Sequence, residues 1–220
     1  MKINNRLKKI GDLVDANSFC LDVGCDHALL DIYLVKKNMN IKPVASDVKT
    51  GPLEKAKENI KKEKMDGKIE LRLGDGLDTY TDPIDTVIIS GMGGRNMIGI
   101  FKNNLEVLKK IDTIIISPNN YQMDVKKFLV HSGFYIEYES LVKEGKFIYQ
   151  IIKLKKGHKR YSKKDLFFGP YLLENKDKLF NEYYDRELKS REILIKVLPK
   201  NYRIKKLIIK KEIKLIKSVL

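Results

Sequence analysis

Five short segments of acid, glycine and small polar residues recur along this chain, each at the end of an apolar run. Asp22, Gly24 and Asp26 close or follow the run 19–23, and Asp47 with Val48 closes residues 43–47. Gly74-Asp75-Gly76-Leu77 follows residues 69–73, Ser90-Gly91-Met92-Gly93-Gly94 ends the run 84–90, and Ser117-Pro118-Asn119-Asn120-Tyr121 ends the run 113–117. Short apolar runs bounded by such residues read as buried strands, and an open α/β sheet binds its ligands beyond the carboxyl ends of its strands. A glycine after a strand is ordinarily a turn, and a lone aspartate is ordinarily a helix cap. Five such segments in register point instead to one ligand crevice.

The first segment bears on the kind of ligand. Gly24 breaks the run, and an apolar helical pattern begins at Ala28, which is the strand–tight turn–helix unit of nucleotide-binding folds. A dinucleotide site needs a second glycine two residues after the first, so that backbone can approach the pyrophosphate; here that position is Asp26. Unit charges about 4 Å apart interact by roughly 1–4 kcal/mol, so this carboxylate repels phosphate and disfavours a nicotinamide dinucleotide. The sulfonium and ammonium of S-adenosyl-L-methionine are drawn to the same acids. On that reading Asp22 or Asp26 balances the ammonium, and Gly24 lets the backbone close over the methionine tail. Asp47 accepts both ribose hydroxyls, Asp75 accepts from the adenine amino group, and Leu77 and Met92 form apolar walls. Capping is the competing role for Asp26 and Asp75. His27 either caps the helix or touches the cofactor; it lacks Cys and His partners at metal spacing, so no metal is expected.

The elements that position these segments follow from hydrophobic period. Asn5 is expected to cap a first helix with Leu7, Ile10, Leu13 and Val14 on one face. Helices follow over about 28–37, from Gly51-Pro52 with Leu53, Ala56 and Ile60, through Ile98, Phe101, Leu105 and Leu108, and around 125–130. Strands 134–142 and 147–154 flank the turn Lys143-Glu144-Gly145-Lys146. Alternating strands and helices followed by a hairpin predict an α/β fold, an open and mostly parallel sheet with an antiparallel edge. Beyond Gly157 the pattern changes. Leu172, Leu173, Leu179, Phe180, Tyr183, Tyr184, Leu188, Ile195 and Leu198, then Ile204, Leu207, Ile208, Ile213, Leu215 and Ile216, recur at helical spacing around Pro199-Lys200-Asn201. This predicts a coiled-coil-like helical hairpin, and a division into domains 1–157 and 158–220.

Composition bounds the partners. At 43% hydrophobic and 33% charged the chain is globular, and no apolar run reaches the roughly 20 residues of a membrane span. Residues 1–9 are basic but lead into an amphipathic pattern rather than a signal-peptide core. Cys20 and Cys25 lie too close for a disulfide framework, which favours a reduced, cytoplasmic setting. Residues 1–150 carry 23 Lys+Arg against 21 Asp+Glu, whereas residues 151–220 carry 21 against 8, so nearly all of the net +15 sits in the tail. Such asymmetry points to a polyanion, nucleic acid before membrane. Lys153, Lys155, Lys156, Lys159, Arg160, Lys163 and Lys164 form a basic junction, and Lys205, Lys206, Lys210, Lys211, Lys214 and Lys217 crowd the last helix. Tyr161, Phe167, Phe168, Tyr183 and Tyr184 are expected in the core.

The stretches Asp22-Val-Gly-Cys-Asp-His-Ala-Leu-Leu30, Ser46-Asp47-Val48 with Gly51-Pro52, Gly74-Asp-Gly-Leu77, Ile89-Ser-Gly-Met-Gly-Gly94 and Ser117-Pro118-Asn119 together resemble bacterial tRNA (adenine(22)-N(1))-methyltransferases, the TrmK family. The Lys143-Glu-Gly-Lys146 turn and the basic carboxyl-terminal hairpin extend that resemblance to nearly the whole chain. It implies a class I Rossmann-like methyltransferase, S-adenosyl-L-methionine as donor, and N1 of an adenine in the tRNA D-arm region as acceptor. Carried onto this chain, it implies cofactor contacts at Asp22, Gly24, His27, Leu30, Asp47, Val48, Asp75, Gly76, Ser90, Gly91, Met92 and Gly93. The base pocket then falls at Ser117, Pro118, Asn119 and Tyr121, a segment that departs from the Asn/Asp-Pro-Pro-aromatic signature of amino-directed enzymes and suits a ring nitrogen. Asn119 is expected on the adenine edge, with Tyr121 stacking or merely packing, and Asp75 or Asp26 beside the cationic product. Arg95 holds a phosphate or faces solvent, and Lys146, Lys159 and Arg160 join the RNA-binding set. A monomer acting on tRNA is expected; another RNA or a small molecule is the alternative acceptor.

Overall fold

The structure, a computed structural model, describes residues 3–37, 40–199 and 201–220. Met1 and Lys2 of the basic amino terminus, and Lys200 of the expected interhelical turn, lie outside the described residues. The chain divides into two compact units, Met1–Tyr161 and Ser162–Leu220.

The first unit is a seven-stranded sheet flanked by helices. Its elements run α1 (Asn5–Asp12), β1 (Phe19–Val23), α2 (Leu29–Lys36), β2 (Lys42–Asp47), α3 (Thr50–Lys62), β3 (Glu70–Leu73), β4 (Thr86–Ser90), α4 (Gly94–Asn103), α5 (Leu105–Leu108), β5 (Thr113–Ser117), α6 (Gln122–His131), β6 (Phe134–Glu144) and β7 (Phe147–Lys156). Strand order is β3-β2-β1-β4-β5-β7-β6, with β1 to β5 parallel and β7 antiparallel to both of its neighbours. The expected α/β sheet is present, but its antiparallel strand is not at the edge. β7 carries a buried run from Gln150 to Lys153 and Leu154, which needs cover on both faces, whereas β6 alternates buried Phe134 and Ile136 with half-exposed residues and takes the edge.

Two local expectations differ. Asn4, not Asn5, caps α1, its Oδ1 accepting from the Leu7 N–H at 2.8 Å. The single helix expected through Ile98 to Leu108 breaks at Asn104, whose φ of −128° and ψ of 46° end α4 and start α5. Leu105 is consequently exposed, while Met97 and Phe101 fill the core. Elsewhere the periodicity holds: Ile10 of α1 and Val14 just beyond its end sink into a cluster with Leu30, Leu34, Ile88, Ile115 and Ile151.

In the second unit, α7 (Lys163–Phe168), α8 (Pro170–Glu174), α9 (Lys178–Val197) and α10 (Arg203–Lys217) follow one another. Phe168, Phe180 and Tyr184 form its aromatic core, and the Tyr184 hydroxyl donates to the Phe168 carbonyl. Arg191 on α9 bonds Glu212 on α10, joining the antiparallel pair. The seam of α10 buries Ile216 of the predicted stripe together with Ile209, which lay outside it; Ile204, Leu207 and Ile208 are exposed, because two helices alone offer one shared face. No helix among the described residues is long and apolar enough to cross a membrane.

One polar tie sets where α6, and with it the segment after β5, stands. Lys126 on α6 is fully buried and its ammonium lies 3.1 Å from Oε1 of Glu139 on β6, which also accepts from Gln150 at 3.1 Å. Burial lowers the Lys126 pKa from its ordinary value, and Glu139 works against that shift. Removing one partner of a buried pair leaves the other charge uncompensated, at a cost of about 3–5 kcal/mol. Lys126→Met should therefore lower stability by that amount in chemical denaturation, and Lys126→Met with Glu139→Leu should recover most of it.

Candidate active site

The parallel order β3-β2-β1-β4-β5 brings all five segments to one sheet edge, where each loop is tied to a neighbour. The N–H groups of Gly24 and Cys25 both donate to the Ser46 carbonyl at 2.9 and 3.0 Å, and Gly74 N–H donates to the Asp47 carbonyl at 3.0 Å. Gly91 N–H reaches the Ser117 carbonyl at 3.0 Å, and Asn119 N–H reaches that of Met92 at 2.9 Å. Two asparagine side chains finish the link between the β4 and β5 loops. Asn119 Nδ2 donates to the Gly91 carbonyl at 2.6 Å, and Asn120 Oδ1 accepts from Gly94 N–H at 3.0 Å. Gly94 is required by packing: a Cβ there would meet the Asn120 carbonyl oxygen at 2.5 Å.

The first turn is tightly wound. After Gly24 (φ 75°), Asp26, His27 and Ala28 take φ values of 37°, 73° and 56°, three successive left-handed residues that are not glycine. Each costs on the order of 1–3 kcal/mol, a strain that persists only where surroundings hold it. Asn59 on α3 supplies one restraint, donating from Nδ2 to the His27 carbonyl at 3.0 Å, and Ala28 is fully buried. Met92 Cε lies 2.6 Å from where a Cβ on Gly24 would stand, so Met92 packs on bare backbone there, and the left-handed φ of Gly24 disfavours any side chain.

A cavity of about 570 Å³ opens at this edge, lined by Gly24, Asp47, Val48, Asp75, Gly76 and Met92 among the expected residues. Asp47 is oriented by the Lys49 N–H, which its Oδ1 accepts at 2.9 Å. The sequence reading missed the opposite wall: Asn96, Ile100 and Asn103 of α4, at helical spacing, line it. Two asparagines seven residues apart, Asn96 and Asn103, on the helix after the β4 segment were the available signal. A larger cavity of about 920 Å³ lies at the opposite edge, by Phe19, Lys42 and Glu70 at the starts of their strands; it gathers none of the expected residues.

The remaining expected residues separate by burial. Leu30 and Leu77 are each only 1% exposed and serve the core rather than a crevice wall. The Ser90 and Ser117 hydroxyls, paired across β4 and β5, are buried without a hydrogen-bond partner, as is His27 Nδ1. Asp26 is exposed, its Oδ1 3.5 Å from His27 Nε2, and makes no side-chain cap. Asp75 likewise makes no capping bond. Pro118 is buried, while Asn119 and Tyr121 are exposed at the rim, Tyr121 with the Arg95 guanidinium 4.5 Å over its ring. The Lys146 ammonium stands 5.3 Å over Phe147. Lys159 and Arg160 are not brought to the crevice. β7 runs antiparallel, so its end lies opposite Thr113 at the far sheet edge, and these two residues follow it there. Lys153 and Lys155 are spent on Asp15 and Glu137 within the sheet, and Lys156 donates to the Lys109 carbonyl.

Electrostatics explain what the crevice wants. Asp22, 4% exposed at the end of β1, is held well above the usual carboxylate range by burial first and then by Asp31, Asp26 and Asp47. Asp31 on α2, unremarked in the sequence, is fully buried beside Asp22 with no basic side chain bonded to either oxygen among the described residues, and burial pushes it up from 3.8 to about 7. The Cys25 thiol is pushed up by burial and then by the same two acids. The Asp22–Asp31 pair stays neutral, or shares a proton, unless a cation arrives.

A glycine-cradled turn, a carboxylate at the end of β2, another after β3 and a negative field fit a nucleoside bearing a sulfonium and an ammonium. Fold and site together define a Rossmann-like, S-adenosyl-L-methionine-dependent methyltransferase. The family model for TrmK, tRNA (adenine(22)-N(1))-methyltransferase, matches residues 20–218. The chain belongs to that family, and S-adenosyl-L-methionine is its methyl donor. The tRNA (adenine(22)-N(1))-methyltransferase of Bacillus subtilis (strain 168) is 24% identical over 195 residues, 86% of this chain and 82% of the relative. Sp1610 of Streptococcus pneumoniae, solved in complex with S-adenosyl-L-methionine, is 31% identical with a TM-score of 0.90 over 100% of both chains. TrmK of M. capricolum, solved with S-adenosyl-homocysteine, is 28% identical with a TM-score of 0.86 over 99% of this chain and 97% of that one.

The buried acids have a measurable consequence. Their folded-state pKa values lie above those of the unfolded chain, so the folded protein keeps protons that the unfolded chain releases. The stability this adds is complete below the ordinary carboxyl pKa of 3.8 and is lost as pH rises through about 7. Asp31→Asn should flatten the pH profile of unfolding between those limits, where one retained proton changes stability by roughly 1.4 kcal/mol per pH unit. An unchanged difference between variant and wild type across that window would remove Asp31 from the account.

Proposed function

We propose that the methyl transfer to N1 of adenine 22 that defines this family is carried out at the β1–β4–β5 edge, with the cofactor between Gly24 and α4 and the target base over Asn119 and Tyr121. The convergence of Gly24, Asp47, Asp75, Gly76 and Met92 on one cavity beside the Asn119–Gly91 hydrogen bond carries this reading. In it, Asp47 binds the ribose, Asp75 binds the cofactor's adenine, and Val48 and Met92 cover its faces. The bound cofactor supplies a methyl carbon made electrophilic by the adjoining sulfonium.

Little acid–base chemistry falls to the protein. Adenine N1 carries an in-plane lone pair at neutral pH, so the work is alignment, worth up to roughly 7–11 kcal/mol. N1 lies on the Watson–Crick edge, and the base must be unpaired or flipped to present it. Asn119, anchored through Nδ2, offers its Oδ1 to the base edge. Tyr121, braced by Arg95, offers a ring for stacking, and Asp26 at the open rim faces the cation that forms.

The helical unit is the proposed tRNA-binding part, through Lys205, Lys206, Lys210 and Lys211 on α10, Lys163 and Lys164 adding to its charge. The reading includes a cytoplasmic monomer. Both cysteines are free thiols, as a reducing compartment leaves them, and every proposed contact to cofactor, base and tRNA comes from a single copy of the chain.

Incubation with methyl-labelled S-adenosyl-L-methionine and bulk tRNA should give labelled N1-methyladenosine; label in another nucleoside, in protein or in lipid would overturn the acceptor. Asp47→Ala should abolish measurable cofactor binding in calorimetry and leave tRNA binding intact. Reversing Lys205, Lys206 and Lys210 to Glu should weaken tRNA binding and reduce its log–log salt slope by roughly 0.9 per lost duplex contact, with cofactor affinity unchanged.

A further inference from the structure

Arg6 belongs to none of the five segments, yet α1 delivers its guanidinium to Gly91, next to Met92 of the cavity wall. Its two terminal nitrogens lie 3.3 and 3.5 Å from the point where a Cβ on Gly91 would stand, so the absence of a side chain at Gly91 makes the space the guanidinium fills. The guanidinium carbon is 4.5 Å from the centroid of the Tyr149 ring. Ile152 pairs with Ile116 across the antiparallel β5–β7 ladder, so Tyr149, nearer the start of β7, stands past Ser117 at the carboxyl edge. The helix that carries Arg6 is fixed. Ile10 and Val14 sit in the core, and Asn5 N–H donates to Glu144 Oε2 at 2.6 Å.

Arg72, Arg186 and Arg191 each pair with a glutamate. Arg6 does not: Nε is buried without a partner, and no carboxylate or carbonyl among the described residues accepts from its fork. A half-buried guanidinium whose Nε–H is closed off from water with no acceptor is costly unless a ligand brings one. Tyr149 holds the plane of the fork in place and leaves its donors directed at whatever anion enters.

We propose that Arg6, laid on Tyr149 over Gly91, is the receptor for an oxyanion of the bound substrates, either the carboxylate of the cofactor's methionine or a phosphate of the tRNA. The proposal rests on the placing of cofactor and base given above. Gly91 also accepts the Asn119 hydrogen bond, so an anion seated on Arg6 lies one residue from the groups assigned to the base edge.

The test compares wild type, Arg6→Ala and Arg6→Lys in calorimetry with S-adenosyl-L-methionine and with its decarboxylated analogue, and in steady-state kinetics with tRNA. A carboxylate receptor predicts that Arg6→Ala loses roughly ten- to a hundredfold in affinity for S-adenosyl-L-methionine and nothing for the analogue. A phosphate receptor predicts unchanged affinity for both small molecules, a higher KM for tRNA, and a salt slope reduced by about one. In either case Arg6→Lys, which keeps the charge and loses the fork, should recover only part of the loss. It also serves as the reporter if Arg6→Ala fails to fold by circular dichroism. Unchanged values throughout, or equal losses for the cofactor and its decarboxylated analogue with no effect on tRNA, would overturn the proposal. If wild type and Asp47→Ala bind S-adenosyl-L-methionine alike, the crevice assignment fails instead, and the Arg6 comparison still reports its own outcome with tRNA.

Discussion

Carboxylates gathered in a desolvated corner repel one another, and the corner where β1 meets α2 holds two that are buried outright, Asp22 and Asp31, with Asp26 and Asp47 near enough to push Asp22 further from ionisation. Such an arrangement is tolerable in three ways: the groups keep their protons, a neighbouring side chain supplies positive charge, or a guest does. No lysine or arginine among the described residues answers Asp31. A cationic guest with an uncharged nucleoside body satisfies this field, whereas a pyrophosphate would add to the repulsion. Cofactor class is thus set by the sign of the potential more than by the shape of the turn.

That field is useful only if its sources stay put, and the loop tips supply the rigidity. Gly24 and Cys25 hang on the end of β2, Gly74 on the same strand, and the β4 and β5 loops on each other through Asn119 and Asn120. The three left-handed residues at 26–28 are a strained piece of backbone held by Asn59 and by the burial of Ala28. At the other side of the sheet, the Lys126–Glu139 pair fixes α6 against β6 and so the position of Tyr121 at the start of α6. Alignment is the main demand of an SN2 reaction at a ring nitrogen that needs no deprotonation, and a lattice of short backbone ties meets that demand better than mobile side chains would.

The two units differ in how their charge is spent. The sheet unit handles a small cation in a negative crevice, and its own surplus lysines, Lys153 and Lys155 among them, are consumed by Asp15 and Glu137. The helical unit carries an excess of unpaired basic residues over a modest core built on Phe168, Phe180 and Tyr184.

Much of this was legible in residue order. Buried parallel strands announce themselves as continuous apolar runs, and the ligand edge follows because chain direction fixes which end of each run is its carboxyl end; Asp47, Asp75 and Gly24 needed nothing more. Local period also placed α1, α3 and the hairpin helices. What residue order could not decide were contacts between elements far apart in sequence. Asp31 reads as an ordinary helix residue until α2 packs it beside Asp22, and Arg6 reads as solvent-facing charge until α1 lies over Gly91 and Tyr149. Lys159 and Arg160 read as neighbours of the site until β7 turns antiparallel and carries them to the other edge. Types, spacing and direction along the chain were enough to say that a cation-binding methyltransferase crevice exists; which charges are buried together, and which are left without partners, was decided only when the sheet order was assembled, because desolvation and pairing are properties of the packed whole.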